Sequence, residues 1–320
     1  MHAASVTLLS WALIGAACFV PSAGGRATAG ILAVLVAGLG LPHGAADHRF
    51  LRPRLEPLFG PAWLPLFLAG YLLAAAVMVG GWFLAPAATI GGFFLASAWH
   101  FGQEEPRFAV GPRSWRPLLR FARGGLVIWT PLVMQTDQVV GILAVATPGG
   151  LGPDVQRFAG PLAAFSALMM GVAAVGWFLE LRVALGRRGR TQRVLLGDVL
   201  LVASLVALLA IANPLVGFLV YFCGWHSVRG LRKLRRELGE RWIRLAASLA
   251  PMTLGAVGLI ALATFGVLRT TGWNETLIRA TFVGLSAVAV PHLVVHGVAP
   301  FLAPIADRRA ARHLRFGSAT

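Results

Sequence analysis

The sequence is poor in charge, in cysteine and in lysine. Only 12% of its 320 residues are Asp, Glu, Lys or Arg, about half the share of an ordinary soluble domain, whereas 57% are hydrophobic. That balance excludes soluble globular and disordered chains together. The 2 cysteines, Cys18 and Cys223, both sit inside apolar runs, which argues against a disulfide scaffold and against a cysteine-type zinc site. No GxSxG elbow, Walker A loop, GxGxxG fingerprint or CxxC pair occurs, which weighs against hydrolase, nucleotide-driven and thioredoxin-like chemistry. Lysine occurs once, at Lys233, so the net charge of +16 rests on arginine.

What the chain has is apolar length. A helix needs roughly 20 mostly apolar residues to cross the hydrocarbon core. About ten such runs lie near 4–21, 27–46, 62–85, 87–105, 117–135, 155–181, 194–211, 214–230, 244–268 and 276–303. They are apolar on every face, unlike the alternating strands of a membrane barrel. The first run has no Lys or Arg before it and reads as a helix, not a secretory signal. Segment 136–154, rich in glycine, is expected to hold a re-entrant or surface helix. The expectation is therefore an all-α polytopic integral membrane bundle of about ten transmembrane helices, one domain over 1–320, multi-pass in the cell (inner or plasma) membrane.

The basic residues give an orientation. Blocks at Arg49 to Arg54, Arg107 to Arg123, Arg182 to Arg193, Arg229 to Arg244 and Arg308 to Arg315 hold 24 of the 28. They follow runs two, four, six, eight and ten, and Lys and Arg accumulate in cytoplasmic loops, so both termini are expected in the cytoplasm. Short arginine blocks between apolar stretches read as topology and contact with anionic headgroups, and no nucleic-acid partner is expected.

Of eight histidines, six lie in four motifs: Gly40-Leu41-Pro42-His43-Gly44-Ala45-Ala46-Asp47-His48, Ala98-Trp99-His100-Phe101-Gly102-Gln103-Glu104-Glu105, Tyr221-Phe222-Cys223-Gly224-Trp225-His226-Ser227 and Pro291-His292-Leu293-Val294-Val295-His296. These motifs fall on the runs near 27–46, 87–105, 214–230 and 276–303, all directed toward the cytoplasm. His43, His100, His226 and His296 precede the next arginine block by 3 to 12 residues, which puts them roughly 5 to 18 Å inside one membrane face. Imidazoles at such depth face a bundle interior, where they bind a ligand, pair or relay protons. Four motifs at one level favour a shared ion, and neutral imidazole suits Fe, Zn, Cu or Ni over Mg or Ca. His292 and His296 are four apart and share a helix face. Asp47 stands in the same relation to His43, and Glu104 to His100; each carboxylate would hold a neighbouring ring N–H or cap its helix end. Trp99, Phe101, Tyr221, Phe222 and Trp225 are candidates to line a substrate site, the ordinary alternative being interfacial anchoring.

Taken together, these motifs resemble the Brp/Blh family of integral-membrane beta-carotene 15,15'-dioxygenases, which make retinal for microbial rhodopsins. Gly40-Leu41-Pro42-His43-Gly44 with Asp47 is similar to its first motif, and His100-Phe101-Gly102 with Glu105 to its second. Tyr221-Phe222-Cys223 with His226-Ser227 and Arg229 is similar to its third, and Pro291-His292 to its fourth. The resemblance covers about residues 38–302. It implies an iron-dependent dioxygenase that cleaves the central double bond of beta-carotene with O2 to two retinal, a histidine-held Fe(II), and a functional link to a retinal-binding rhodopsin; Asp47, Glu104 and Glu105 are expected to orient the ligand rings. His43, His100 and His226 match ligand positions of the family. One departure stands out: the place of a further family histidine, one turn after His226, is Gly230, so His292, His296 or both are expected to complete the metal sphere. Two other readings remain open. A lipid desaturase typically needs HxxxH and HxxHH boxes, of which only His292 to His296 has the first spacing and none the second. A metal or proton transporter would also carry intramembrane histidines, although a cluster in one leaflet offers no route across.

Overall fold

The computed structural model describes residues 2–19, 26–104, 112–270 and 272–316, and among these it contains helices and turns but no strand. In chain order the helices are α1 (His2–Phe19), α2 (Arg26–Leu35), α3 (Leu41–Ala45), α4 (Asp47–Phe59), α5 (Trp63–Leu84), α6 (Pro86–Glu104), α7 (Arg116–Gly124), α8 (Leu126–Met134), α9 (Thr136–Ala146), α10 (Pro153–Leu185), α11 (Gly189–Ile211), α12 (Pro214–Leu219), α13 (Val228–Leu238), α14 (Trp242–Ala263) and α15 (Trp273–Phe316). π-helical turns over Val36–Gly40 and Val220–Ser227 join α2 to α3 and α12 to α13, and a third, Thr264–Leu268, extends α14.

Within the described residues each of the ten apolar runs is helical. Five stretches are long and apolar enough to cross a membrane: Thr28–Leu84, Ala159–Leu185, Gly189–Ile211, Trp242–Leu268 and Trp273–Ala299. The first contains two of the ten runs, separated by the turn at Gly60, whose φ of 56° suits a residue without a Cβ. The remaining runs are shorter, broken or less apolar. The run near 117–135 is divided into α7 and α8, and α8 meets α9 at Gln135 through a bend of 113°. α9, set at that angle to α8, occupies the first 11 residues of the segment 136–154.

Irregular backbone among apolar helices has to find hydrogen-bond partners within the protein. Side chains supply them. Gln135 Nε2 donates to the carbonyls of Leu209 and Ala212, both at 2.9 Å, tying the α8–α9 elbow to the C-terminal end of α11. Arg279 in α15 donates to the carbonyls of Val145 and Thr147 at 3.1 and 3.3 Å, closing the end of α9. Trp82 Nε1 bonds Ser286 Oγ at 2.8 Å and Tyr71 Oη bonds the Val288 carbonyl at 2.9 Å, so two polar contacts pin α5 to α15. α15 packs on α5, α4, α2, α9 and α6, and is the most enclosed of the long apolar stretches. Two apolar clusters flank it, one built on α11, α12 and the two π turns around Leu208 and Cys223, the other on α8, α9 and α10 around Trp129 and Ala173.

α6 is held at its histidine end by an unusually close crossing with α7. A Cβ on Gly124 would overlap the Ala98 carbonyl and the Gly102 nitrogen, and one on Gly102 would overlap the Arg120 carbonyl. Because the obstructing atoms are backbone, neither position can relax by a rotamer change. Gly124→Leu is expected to cost about 3 kcal/mol, the upper end for overpacking, and to lower the thermal midpoint in detergent. Gly141→Leu, where nothing lies within 4 Å, should leave that midpoint unchanged.

Candidate metal centre

The four histidine motifs converge. His43 comes from α3, His100 from α6, His226 from the second π turn, and His292 and His296 from α15. Two irregularities explain how short segments aim rings inward. Pro42 has no N–H to donate to the preceding turn, and the backbone just before it widens into the π turn Val36–Gly40. The second π turn carries Tyr221, Phe222 and His226, and its extra residue per turn rotates these side chains relative to a plain α-helix. The two π turns pack against each other.

Ring centroids lie 4.9 Å apart for His43 and His226, 5.0 Å for His43 and His292, 4.9 Å for His100 and His292, and 5.4 Å for His100 and His226. One ring nitrogen from each of His43, His100 and His292 lies within 4.8 Å of the others. Nε2 of all three is buried and has no hydrogen-bond partner in the structure. Three imidazole nitrogens that share an ion at about 2.1 Å stand about 3.6 Å apart when evenly spread, so side-chain shifts of up to about 0.7 Å each bring this trio to bonding distance.

Asp47 organises the opposite side of the rings. It is 1% exposed, and its Oδ1 accepts from His292 Nδ1 at 2.7 Å. A ring that donates Nδ1–H presents the lone pair of Nε2 toward the cluster. His296 Nε2 stands 3.6 Å from the same Oδ1, and its Nδ1 stands 3.8 Å from Glu104 Oε1. Its ring stacks on Phe50, with centroids 4.8 Å apart. Glu104 in turn meets Lys233 Nζ at 4.0 Å, and its carbonyl accepts from Arg229 at 3.2 Å.

The carboxylates thus serve histidines of α15, not those four residues away on their own segments. α3 ends at Ala45 and a turn at Ala46 intervenes before α4, so Asp47 does not share a helical face with His43. Glu105 lies outside the described residues. His48, in the first motif, bonds the Ala45 carbonyl through Nδ1 at 2.7 Å and stays out of the cluster. Gly230 lies against His43: any Cβ there would overlap the imidazole ring. The space of a side chain at 230 is therefore taken by His43.

The candidate aromatic residues divide among three surroundings. Phe101 and Phe222 line an apolar cavity of about 120 Å³ together with His43, His100, His226 and His292. Phe101 packs on the His226 ring at 4.7 Å. Trp99 is 48% exposed on the outer side of α6, as expected for a residue two positions from Phe101 on one helix. Tyr221 and Trp225 line a neighbouring, arginine-rich cavity. Sequence reasoning passed over Tyr71 and Ser97. Tyr71 buttresses the Val288 backbone, and Ser97 lines the histidine cavity one turn before His100. The available signal was a lone polar group within an apolar run, which is weak by itself.

A family model described as Beta-carotene 15,15'-dioxygenase matches residues 34–299. A curated relative named Beta-carotene 15,15'-dioxygenase, from uncultured marine bacterium 66A03, is 26% identical over 279 residues, covering 82% of this chain and 90% of the relative. No solved structure matches.

If Asp47 sets the His292 ring, Asp47→Asn should weaken divalent-metal binding by about 10- to 100-fold, read as metal retained per chain after dialysis against a chelator. Glu56→Gln, whose carboxylate pairs with Arg52 on the surface, should retain the wild-type amount.

Proposed function

The chain belongs to the beta-carotene 15,15'-dioxygenase family, and from that premise we propose that it is a membrane dioxygenase cleaving the central double bond of beta-carotene with O2 to two retinal. The observation that carries the reading is the set of buried, unpartnered Nε2 atoms of His43, His100 and His292 at the edge of an apolar cavity. Buried ring nitrogens without partners are costly unless something occupies them. A cation held by neutral imidazoles removes that cost, and the donor set fits Fe(II) by its chemistry. We assign His43, His100, His226 and His292 as the residues that would hold iron, with His296 as a bridge between Asp47 and Glu104.

When bound, iron would supply O2 activation. The chain's residues do the rest. Asp47 fixes one tautomer of His292, and the phenyl faces of Phe101 and Phe222 set the cavity wall on either side of His226. A planar polyene is oriented by such faces and dry walls exclude water. The cavity's 120 Å³ is small beside the roughly 300 to 1,000 Å³ of ordinary ligand sites, so the ring planes of Phe218 and Phe222, which line it and stack at 5.3 Å, must shift to admit a carotenoid. Both atoms of O2 end in the two aldehydes, so the overall reaction needs no external electron donor, in keeping with a sequence that has no nucleotide-binding fingerprint.

We read the ten apolar runs as ten spans of a single domain in the inner or plasma membrane. The arginine blocks support this, and they put both termini and the metal level on the cytoplasmic side. A carotenoid dissolved in the bilayer then reaches the site laterally, and retinal is available to a rhodopsin in the same membrane.

Expression in carotene-accumulating cells tests the reading. Wild-type protein should bleach the orange colour with retinal appearing, and should purify with stoichiometric iron. His43→Ala and His292→Ala should lose both iron and retinal, while His48→Ala keeps both and His296→Ala keeps its iron. Stoichiometric iron without cleavage of any carotenoid, in conditions where a positive control bleaches, rejects the activity; undiminished iron in His292→Ala rejects the ligand assignment.

A further inference from the structure

Next to the histidine cavity, across Tyr221 and Trp225, lies a second cavity of about 620 Å³ with a different chemistry. One wall is apolar, formed by Leu201, Val202, Leu205 and Leu209 of α11, a rise of about 12 Å along that helix. The other end is cationic. Arg229, Arg232, Arg235 and Arg236 reach it from one face of α13 and Arg123 reaches it from α7, whereas Asp198 is the single carboxylate among the described lining residues. Arg123 is already paired with Glu180. The Nε of Arg235 is buried without a hydrogen-bond partner, and its guanidinium stands 5.1 Å from the centroid of Trp242 at the rim. Arg232 and Arg236 are exposed at the mouth.

A cavity with guanidiniums at its mouth and leucines in its depth matches an amphiphile that is anionic at one end and apolar along the rest. Guanidiniums bind phosphate with two parallel N–H donors, and uncompensated charge beside an apolar wall favours an anion over a zwitterion. A free phosphate or a polyanion such as nucleic acid would use the arginines and leave the α11 wall uncovered. We propose that this cavity holds one anionic phospholipid, its phosphate among Arg232, Arg235 and Arg236 and an acyl chain against Val202 and Leu205. The site is separate from the metal cluster, and its test does not depend on the reaction assigned above.

The full-length protein is incorporated into vesicles of phosphatidylcholine doped with phosphatidylglycerol, re-extracted in mild detergent, and the lipid retained per chain is counted by mass spectrometry. The wild type should keep one phosphatidylglycerol and discriminate against phosphatidylcholine. R232A/R235A/R236A should lose nearly all of it, and so should Leu205→Trp, which plugs the apolar half and leaves every arginine in place. R187A/R188A/R190A, which removes exposed charge from the α10–α11 connection and the first turn of α11, should retain the wild-type amount, as should wild type washed with inorganic phosphate or an oligonucleotide. Each variant is first shown to be monodisperse with a wild-type melting curve; where Leu205→Trp is not, Val202→Trp replaces it. Equal loss in the two arginine triples means diffuse surface charge and overturns the proposal. Undiminished retention in the plugged variant, or displacement by phosphate or oligonucleotide, overturns it in favour of a plain anion surface.

Discussion

The bond between Asp47 and His292 links residues 245 positions apart and is buried at both ends. Much of the site depends on it. It fixes the start of α4 against the middle of α15, and so sets the distance between the segment that carries His43 and the one that carries His292. It also decides which nitrogen of His292 faces the cluster. In an apolar interior the arrangement is stable only when both ring nitrogens have partners: Asp47 satisfies one, and the centre between His43, His100 and His292 has to satisfy the other. Those unpaired Nε2 atoms are what enables the group to hold a metal ion.

The same constraint shapes the backbone around the site. π turns, a proline after a widened turn and an elbow of 113° all release carbonyls or N–H groups among apolar helices. Two helix ends are met by a long polar side chain from a distant helix, as Gln135 does for α11 and Arg279 for α9. The irregular segments are the ones that bring His226 and His43 inward, while the regular helices α5 and α15 act as a frame held by Trp82 to Ser286 and Tyr71 to Val288. Irregularity near the ligands and regularity in the frame divide positioning from stability.

How much of this was legible in the sequence follows from the period of each signal. Apolar runs of membrane length announce helices because every backbone group must bond within its own segment, and each of the ten runs is helical within the described residues, five stretches being long and apolar enough to cross a membrane. The meeting of the histidine motifs in one cluster was legible in their similar distances from the next arginine block. Pairing was harder. Asp47 and Glu104 stand four residues after a histidine, and a continuous helix would have joined them to it. The turn at Ala46 breaks that register, and Glu104, at the end of α6, faces His296 and Lys233. Local spacing cannot report such partners, because they arrive from α15, some 190 to 245 residues along the chain. Phe101 and Phe222 line the histidine cavity while Trp99, Tyr221 and Trp225 do not, for a related reason: helix geometry forbids Trp99 and Phe101 from facing one cavity, whereas the π turn that separates Phe222 from Tyr221 has no sequence period to betray it.

Gly230 shows how the packing around the cluster depends on a missing side chain. Where the resemblance implies a further histidine, this chain has no side chain at all, and the His43 ring occupies the room that one would need. A histidine added at 230 would meet His43 before it met any ion. On the far side of the cluster His292 is oriented by a carboxylate and is 5% exposed. A ligand so held carries less entropy into binding than one on a flexible turn. The missing side chain at 230 on α13 thus gives the His43 ring its room, and His292 on α15 stands across from that ring, with centroids 5.0 Å apart.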